Sequence, residues 1–157
     1  KVAGESGGAI DWHLGSSNGK IESSTFTNNT AKRSGGAVHW SGHYGTISSS
    51  TFTNNRATGE VTSKIGGVFG GGDGGAVLWV GSHGIIKDNC IFTDNTAARR
   101  GGAIYLHGNS TENCTNTTVS HSIFTSNKAG TNGGAIDWHE GAEDGQIISC
   151  KFEHNTA

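Results

Sequence analysis

Histidine and aspartate residues recur at matched positions along this chain, where they could ligate a metal ion. Two outward-facing columns, four and six residues after the first glycine of a repeated Gly-Gly-Ala block, contain two groups of neighbours: His107, Asp137 and His139, and Asp11, His13 and His39. In a parallel coil, same-column residues of adjacent turns lie ~4.8 Å apart, within reach of a shared Zn²⁺. The alternative is that these residues only cover an exposed strand. No second set of residues is available to orient them, so we expect no cofactor.

Acidic side chains that could catalyse a reaction are scattered along the sequence. Hydrolysis of a glycosidic bond needs two carboxyl groups that flank the bond. The one local cluster, Glu140, Glu143 and Asp144, has no basic partner nearby in the sequence. No Ser, His and Asp set recurs at matching positions. We therefore predict no catalytic residues and no enzyme activity.

Two alternating signatures must position all of these side chains. A Gly-Gly-Ala-(Ile/Val) block begins at Gly7, Gly35, Gly74, Gly101 and Gly133. A Phe-x-x-Asn-x-Ala block follows each one, and its asparagines are Asn29, Asn55, Asn95, Asn127 and Asn155. A fixed alternation with a period of about 26 to 28 residues is typical of a repeat architecture in which each repeat is one turn of a coil.

Alternating positions after each glycine pair predict strands. An aliphatic column shares one face with a tryptophan column, which consists of Trp12, Trp40, Trp79 and Trp138, with Leu106 in the fourth repeat. The tryptophans could form an exposed platform for sugar rings, but their parity with the aliphatic column favours a stacked core. The repeated asparagines predict an amide ladder and a corner with left-handed backbone.

The composition supports an all-β fold. The chain has 27 glycines and no proline, and no window shows sustained helical spacing of apolar residues. We predict a right-handed parallel β-helix of about five turns with no significant helix. Residues 1–157 form one repeat segment. Because the chain begins and ends at equivalent points of the repeat, we expect it to be cut from a longer surface protein.

Two insertions interrupt the repeat, at residues 58–73 and 108–118. The first could present Phe69 and Asp73 to a partner, or it could be a drifted half-repeat. The second carries Glu112, a further candidate for binding. Candidate N-glycosylation sites occur at four sequons, some of which could arise by chance in so polar a chain: Asn28, Asn109, Asn113 and Asn116.

The three cysteines predict no disulfide framework. Cys90 and Cys150 share a column, but they lie two turns apart, ~9.6 Å, which exceeds disulfide reach. We expect both to be small buried thiols. Cys114 could pair with Cys90, pair outside this segment or remain free. Ile86 lies one residue further from its phenylalanine than its counterparts do, which predicts a one-residue bulge.

The paired blocks also carry a family resemblance. They are similar to the polymorphic outer-membrane protein repeats of bacterial autotransporter-type adhesins. The longer forms, Gly-Gly-Ala-Ile-Asp-Trp-His and Ser-Thr-Phe-Thr-Asn-Asn-Thr-Ala, resemble adhesin-like surface proteins of methanogenic archaea. The resemblance implies a β-helix at the cell surface. Neither family supplies a catalytic motif that could be transferred to this chain.

These observations predict an extracellular, adhesin-like stalk that attaches to glycans or proteins of another cell. One alternative is a filament subunit that associates end to end, and another is a polysaccharide lyase or hydrolase. The net charge of −2 offers no basic stripe for nucleic acid. No apolar run is long enough for direct membrane insertion.

Overall fold

The structure is a computed structural model that describes residues 6–59, 71–108 and 113–157. In these residues the chain forms 19 short strands and no helix, and every strand pairing is parallel. The strands stack into four sheets, and each turn of the coil is here called a rung. The first four rungs contribute one strand to every sheet, and the fifth contributes to sheets one, two and three. No helix that could span a membrane occurs in these three ranges.

The strand bounds follow the repeat. Sheet one contains β1 (Ile10–Trp12), β5 (Val38–Trp40), β9 (Val77–Trp79), β13 (Ile104–Leu106) and β17 (Ile136–Trp138). Sheet two contains β2 (Lys20–Glu22), β6 (Thr46–Ser48), β10 (Ile85–Lys87), β14 (Thr118–Ser120) and β18 (Gln146–Ile148). Sheet three contains β3 (Thr25–Thr27), β7 (Thr51–Thr53), β11 (Ile91–Thr93), β15 (Ile123–Thr125) and β19 (Lys151–Glu153). Sheet four contains β4 (Thr30–Ala31), β8 (Arg56–Ala57), β12 (Thr96–Ala97) and β16 (Lys128–Ala129).

The glycine pairs are required for two different reasons. The first glycine of each pair has left-handed backbone, as at Gly35, where φ is 63°. The second glycine allows adjacent rungs to approach closely. A Cβ atom on Gly36 would lie 1.9 Å from the carbonyl oxygen of Gly75 in the next rung. Side chains are therefore excluded at both positions.

Left-handed residues also turn the chain between sheets three and four, and here the sequence-based expectation was wrong in detail. The residue with positive φ is the one before the ladder asparagine, as at Asn28 (φ 57°) and His154 (φ 54°). The ladder asparagines themselves do not have positive φ. Because the corner constrains only backbone, its residue varies, whereas the following position is always asparagine.

The amide ladder is confirmed and is continuous through five rungs. The Asn95 Nδ2 donates hydrogen bonds to Asn127 Oδ1 (2.9 Å) and to the carbonyl oxygen of Phe52 (2.9 Å). Its Oδ1 accepts from the backbone N–H (3.0 Å) and from the Nδ2 (3.0 Å) of Asn55. The same pattern joins Asn29 to Asn55 and Asn127 to Asn155. Each buried amide is thereby satisfied by its neighbours.

The core consists of side chains stacked in vertical files. The phenylalanine rings stack with centroids 4.7 to 4.9 Å apart. Trp12, Trp40 and Trp79 stack at 4.5 and 4.7 Å, and the last two are fully buried. The prediction that the tryptophans fill the core is confirmed for these two rings. The half-buried Trp12 and Trp138 pack against the same core.

Each indole lies over a glycine of its own rung. A Cβ on Gly45 or Gly84 would lie 2.5 Å from the ring of Trp40 or Trp79. In the fourth rung, Leu106 replaces the tryptophan and Thr117 replaces the glycine, and both are fully buried. The smaller aliphatic side chain leaves the space that the threonine occupies.

The corner between sheets two and three contains the extra residue of the irregular rung. The extra residue near Ile86 lies in this corner and not in a strand bulge, because Ile86 stays in register with Ile47 and two left-handed residues, Asp88 and Asn89, turn the chain. All three cysteines are free. The expected burial is confirmed for Cys90 but is wrong for Cys150, which is only half-buried, whereas Cys114 is buried. Burial raises the pKa of the Cys90 and Cys114 thiols.

Candidate functional site: a groove on the outer face of sheet one

A groove of about 270 Å³ lies on the outer face of sheet one. Successive side chains of a strand point to opposite faces of the sheet. The strand residues next to those that point into the core therefore face outward and line the groove. The floor and wall contributed by the strands and the residues that follow them consist of His39, Ser41, Leu78, Val80, Tyr105 and His107. The groove therefore combines an aliphatic centre with polar side chains on both sides.

The corner before sheet one contributes the charged wall. Arg33, Asp73 and Arg99 line the groove there. The Arg99 Nε donates to Asp73 Oδ1 (2.8 Å), and its Nη2 donates to Asp73 Oδ2 (2.5 Å). This hydrogen bond to the carboxylate raises the pKa of Arg99. Asp73 is 4% exposed, so a buried carboxylate forms a bidentate ion pair with the partly exposed Arg99 in the groove wall.

His39, in strand β5, is a groove residue that is held by neighbours on both ring nitrogens. Its Nδ1 lies 2.7 Å from Asp11 Oδ1, and its Nε2 lies 3.2 Å from the hydroxyl of Ser41. The other oxygen of Asp11 lies 3.3 Å from His13 Nε2. The three residues that could have shared a metal ion are thus close together, and both carboxylate oxygens are in contact with histidine.

The second histidine group forms a ring cluster around an arginine. Arg100 Nη1 lies 2.6 Å from His139 Nε2 and donates to the hydroxyl of Tyr105 at 3.3 Å. The rings of His107 and His139 are 5.7 Å apart. Burial lowers the pKa of His107, and His139 lowers it further. Burial raises the pKa of Tyr105.

The cluster does not have the geometry of a metal centre. Arg100, a cation, occupies the position next to His139 Nε2 where a metal would bind. Among residues 6–59, 71–108 and 113–157, no three His, Cys, Asp or Glu side chains are arranged to hold a metal ion. In the described residues the structure therefore does not support the metal hypothesis for His107, Asp137 and His139. Asp137 Oδ2 and His107 Nδ1 are buried without a hydrogen-bond partner.

The glycosylation candidates that the structure describes do not line the groove. Phe69, Asn109 and Glu112 lie outside the described residues. Asn28, Asn113 and Asn116 are exposed, and the Asn28 side chain accepts a hydrogen bond from Asn54 Nδ2 (2.7 Å).

Sequence reasoning missed two arginines between the third and fourth repeats, Arg99 and Arg100. Their position could have indicated them: they lie between the alanine of a Phe-x-x-Asn-x-Ala block and the next glycine pair, where Arg33 also lies.

The fold and this site define an all-parallel β-solenoid with a ligand-sized groove on one sheet. The chain belongs to the right-handed β-helix family: the model of the right-handed beta helix region matches residues 2–157. Searches among curated proteins and among solved structures found no match. The family assignment confirms the predicted fold, and the finer resemblance to adhesin repeats stays a prediction.

Proposed function

We propose that this chain is a repeat domain of an extracellular, adhesin-like surface protein, and that it binds a saccharide chain in the sheet-one groove without reacting with it. The observation that carries the proposal is the groove itself. In it, apolar, hydroxyl, imidazole and charged groups face a common cavity. Its volume suits one or two sugar rings, because sites for larger ligands occupy ~300 Å³ or more.

The chemistry of the groove matches a sugar. Leu78 and Val80 offer an aliphatic surface for the C–H face of a ring. Ser41, His39 and Tyr105 place hydroxyl and imidazole groups beside that surface, where they can bond to sugar hydroxyls. Two guanidinium groups and one carboxylate line the same wall, which allows a neutral or an acidic sugar to bind.

The scaffold suits a stalk. Its aromatic files and amide ladder join every rung to the next, so force or proteolysis at one rung is resisted by its neighbours. Repeated rungs also present similar surfaces along one axis, and many weak contacts in parallel give avidity. The exposure of Asn28, Asn113 and Asn116 is consistent with glycan attachment in a secreted protein.

Two alternatives remain as proposals. End-to-end assembly would extend the parallel pairing that already joins adjacent rungs in each sheet. A lyase or hydrolase would need its acids in the groove. The groove carboxylate, Asp73, is held by Arg99 in an ion pair, which does not suit an acid that must exchange protons.

The test is binding of neutral and acidic polysaccharides to the wild-type protein and to a variant whose groove is filled. Leu78→Trp puts a large ring into the groove. Ile91→Trp is the matched control, since Ile91 lies in the same rung on sheet three and is 38% exposed. We expect Leu78→Trp to weaken binding at least about tenfold and Ile91→Trp to leave it unchanged.

Three results would count against the proposal. One is the absence of binding tighter than ~1 mM to any polysaccharide. A second is equal binding by the two tryptophan variants. The third is release of unsaturated uronic acid or new reducing ends during the assay, which would favour the enzyme. Sedimentation of the wild-type protein into long polymers would favour the filament.

A further inference from the structure

An exposed tyrosine occupies a corner position where the fold needs only a small polar residue. The corner between sheets one and two is turned by one left-handed residue in each rung: Asn18, Tyr44, His83, Asn116 and Asp144. Asn and Asp tolerate this backbone well, whereas it is uncommon for a bulky aromatic residue. Tyr44 has φ 55°. The backbone therefore gives no reason for tyrosine at this position.

Packing of the core gives no reason for it either. Tyr44 is 56% exposed, while the aromatic files of the interior are formed by other columns. An exposed, strained aromatic residue is a feature that function commonly explains.

The ring of Tyr44 is nevertheless held in one orientation. It stacks on the exposed ring of His83 in the next rung, with centroids 4.7 Å apart and planes 23° apart. His43 packs against it edge-on at 6.5 Å. One face of the tyrosine thus lies against His83. The opposite face is directed toward the first rung, where the same column holds Asn18, an exposed residue that has no ring to stack.

The groups around this open face indicate the kind of partner. The column supplies the Asn18 amide and the Tyr44 hydroxyl, and no Asp, Glu, Lys or Arg occurs in it from Asn18 through Asn116. A pyranose ring has an apolar C–H face that packs on an aromatic ring and hydroxyls that bond to an amide. The column holds no Lys or Arg that could pair with the carboxylate of an acidic sugar, and its one acidic residue, Asp144, would repel that carboxylate, so a neutral sugar is favoured.

We propose that Tyr44, supported by His83 and flanked by Asn18, is a stacking platform for a neutral pyranose residue. It is a second sugar subsite, across the corner from the groove residue Ser41. This inference rests on the proposed saccharide binding, and it names a site and a sugar class that the groove does not specify.

The test uses a variant that restores the residue typical of this corner. Tyr44→Asn removes the ring and keeps a side chain that Asn18 and Asn116 show to be compatible with the backbone. Tyr44→Phe keeps the ring and removes only the hydroxyl. His121→Asn is the matched control, because His121 is also exposed and left-handed (φ 46°) at a different corner.

Binding would be measured with neutral hexose oligosaccharides of glucose, galactose and mannose, and with an oligogalacturonate, by calorimetry. Ligand-induced shifts of the Tyr44 ring protons would be followed by NMR. We expect Tyr44→Asn to weaken binding of a neutral oligosaccharide about tenfold, a loss of the size seen when an aromatic side chain that stacks on a nucleobase is removed. Tyr44→Phe and His121→Asn should stay within about twofold of the wild type.

The outcomes separate this inference from the proposed function. If Leu78→Trp abolishes binding and Tyr44→Asn does not change it, the platform is wrong and the groove stands. Binding of the oligogalacturonate alone, without shifts at Tyr44, would also overturn the platform. If the wild-type protein binds none of the saccharides, the platform and the proposed function both fail.

Discussion

The fourth rung offers a direct test of how the stacked core determines the sequence. In the other rungs a tryptophan lies over a glycine, whereas Leu106 and Thr117 occupy these two positions here. If size complementarity explains the exchange, Leu106→Trp should be tolerated only together with Thr117→Gly. The two substitutions should therefore be strongly coupled in their effect on the free energy of unfolding.

The magnitudes follow from the neighbouring rungs. A Cβ on Gly45 or Gly84 would approach the indole to 2.5 Å, closer than real atoms pack. Leu106→Trp alone should thus destabilise by about 3 kcal/mol through overpacking against Thr117. Thr117→Gly alone should cost about 1.5 kcal/mol, from a small cavity and the greater freedom of glycine.

The double variant should recover most of this loss. Its new indole would fill the space left by the threonine and stack between Trp79 and Trp138, and each stacked pair contributes ~1 kcal/mol. We expect the double variant to lie within about 1.5 kcal/mol of the wild type, which gives a coupling of about 3 kcal/mol.

Urea unfolding followed by far-ultraviolet circular dichroism measures all four proteins, and Leu106→Trp with Thr118→Gly is the control that should show no rescue. A coupling below about 0.5 kcal/mol would refute the steric explanation.

Three further predictions concern the ladder, the glycine pairs and His107. Asn95→Ala should lower the free energy of unfolding by about 4 kcal/mol, because it leaves several buried groups without hydrogen-bond partners. Asn29→Ala should cost about half as much, because Asn29 is only half-buried in the first rung. Equal losses of the two variants in urea unfolding would contradict this prediction. Gly36→Ala should cost at least about 3 kcal/mol of stability, since its Cβ would meet a backbone carbonyl oxygen at 1.9 Å. A Cβ on Gly15 would meet no atom within 4 Å, so Gly15→Ala should cost only ~1 kcal/mol, from the strain of an alanine with a φ of 88°. The pKa of His107 is lowered in the folded state, so the unfolded chain takes up the proton first as the pH falls. The free energy of unfolding should be at its full value above about pH 6.5 and should decrease as the pH drops through the folded-state pKa of His107. The decrease should be smaller in His107→Gln, and identical pH profiles of the two proteins would disprove the effect.

The repeat and its two faces could be predicted from the sequence because they depend on spacing alone. A period of two fixes which columns point inward, so the burial of Trp40 and Trp79 followed from their parity with the aliphatic column. The amide ladder followed in the same way, because stacked asparagines at one position can bond to each other and to little else in a dry core.

The corners were harder to predict, because backbone constraints leave a weak mark on residue type. The left-handed position before the ladder holds Asn, Asp, Ser or His, since each of these adopts the geometry at modest cost. The adjacent asparagine is constant because of its side chain, and it was therefore mistaken for the turning residue. Gly45 and Gly84 resemble turn glycines in the sequence, yet neither has positive φ. They are small because an indole covers them.

The groove depends on chain paths that the period does not encode. Arg33 and Arg99 enter it from the corner before sheet one, and Asp73 is the last residue of an insertion, so in the sequence all three resembled loop residues. Their association became visible only when the corners of adjacent rungs were stacked. The pairing of Asp73 with Arg99 links residues 26 positions apart, about one repeat.

Function in this fold should therefore be sought where the scaffold constrains the backbone and leaves the side chain free. A buried file accepts few residues, because each side chain must fit those above and below it. An outward-facing left-handed corner needs only a residue that tolerates the geometry, so a residue that tolerates it poorly requires another explanation. Tyr44 meets this criterion, whereas Asn18, Asn116 and Asp144 in the same column do not. If Tyr44→Asn stabilises the protein and weakens sugar binding together, stability has been exchanged for recognition at this corner. A stabilised variant with unchanged binding would instead show that the strain at Tyr44 has no role in saccharide recognition.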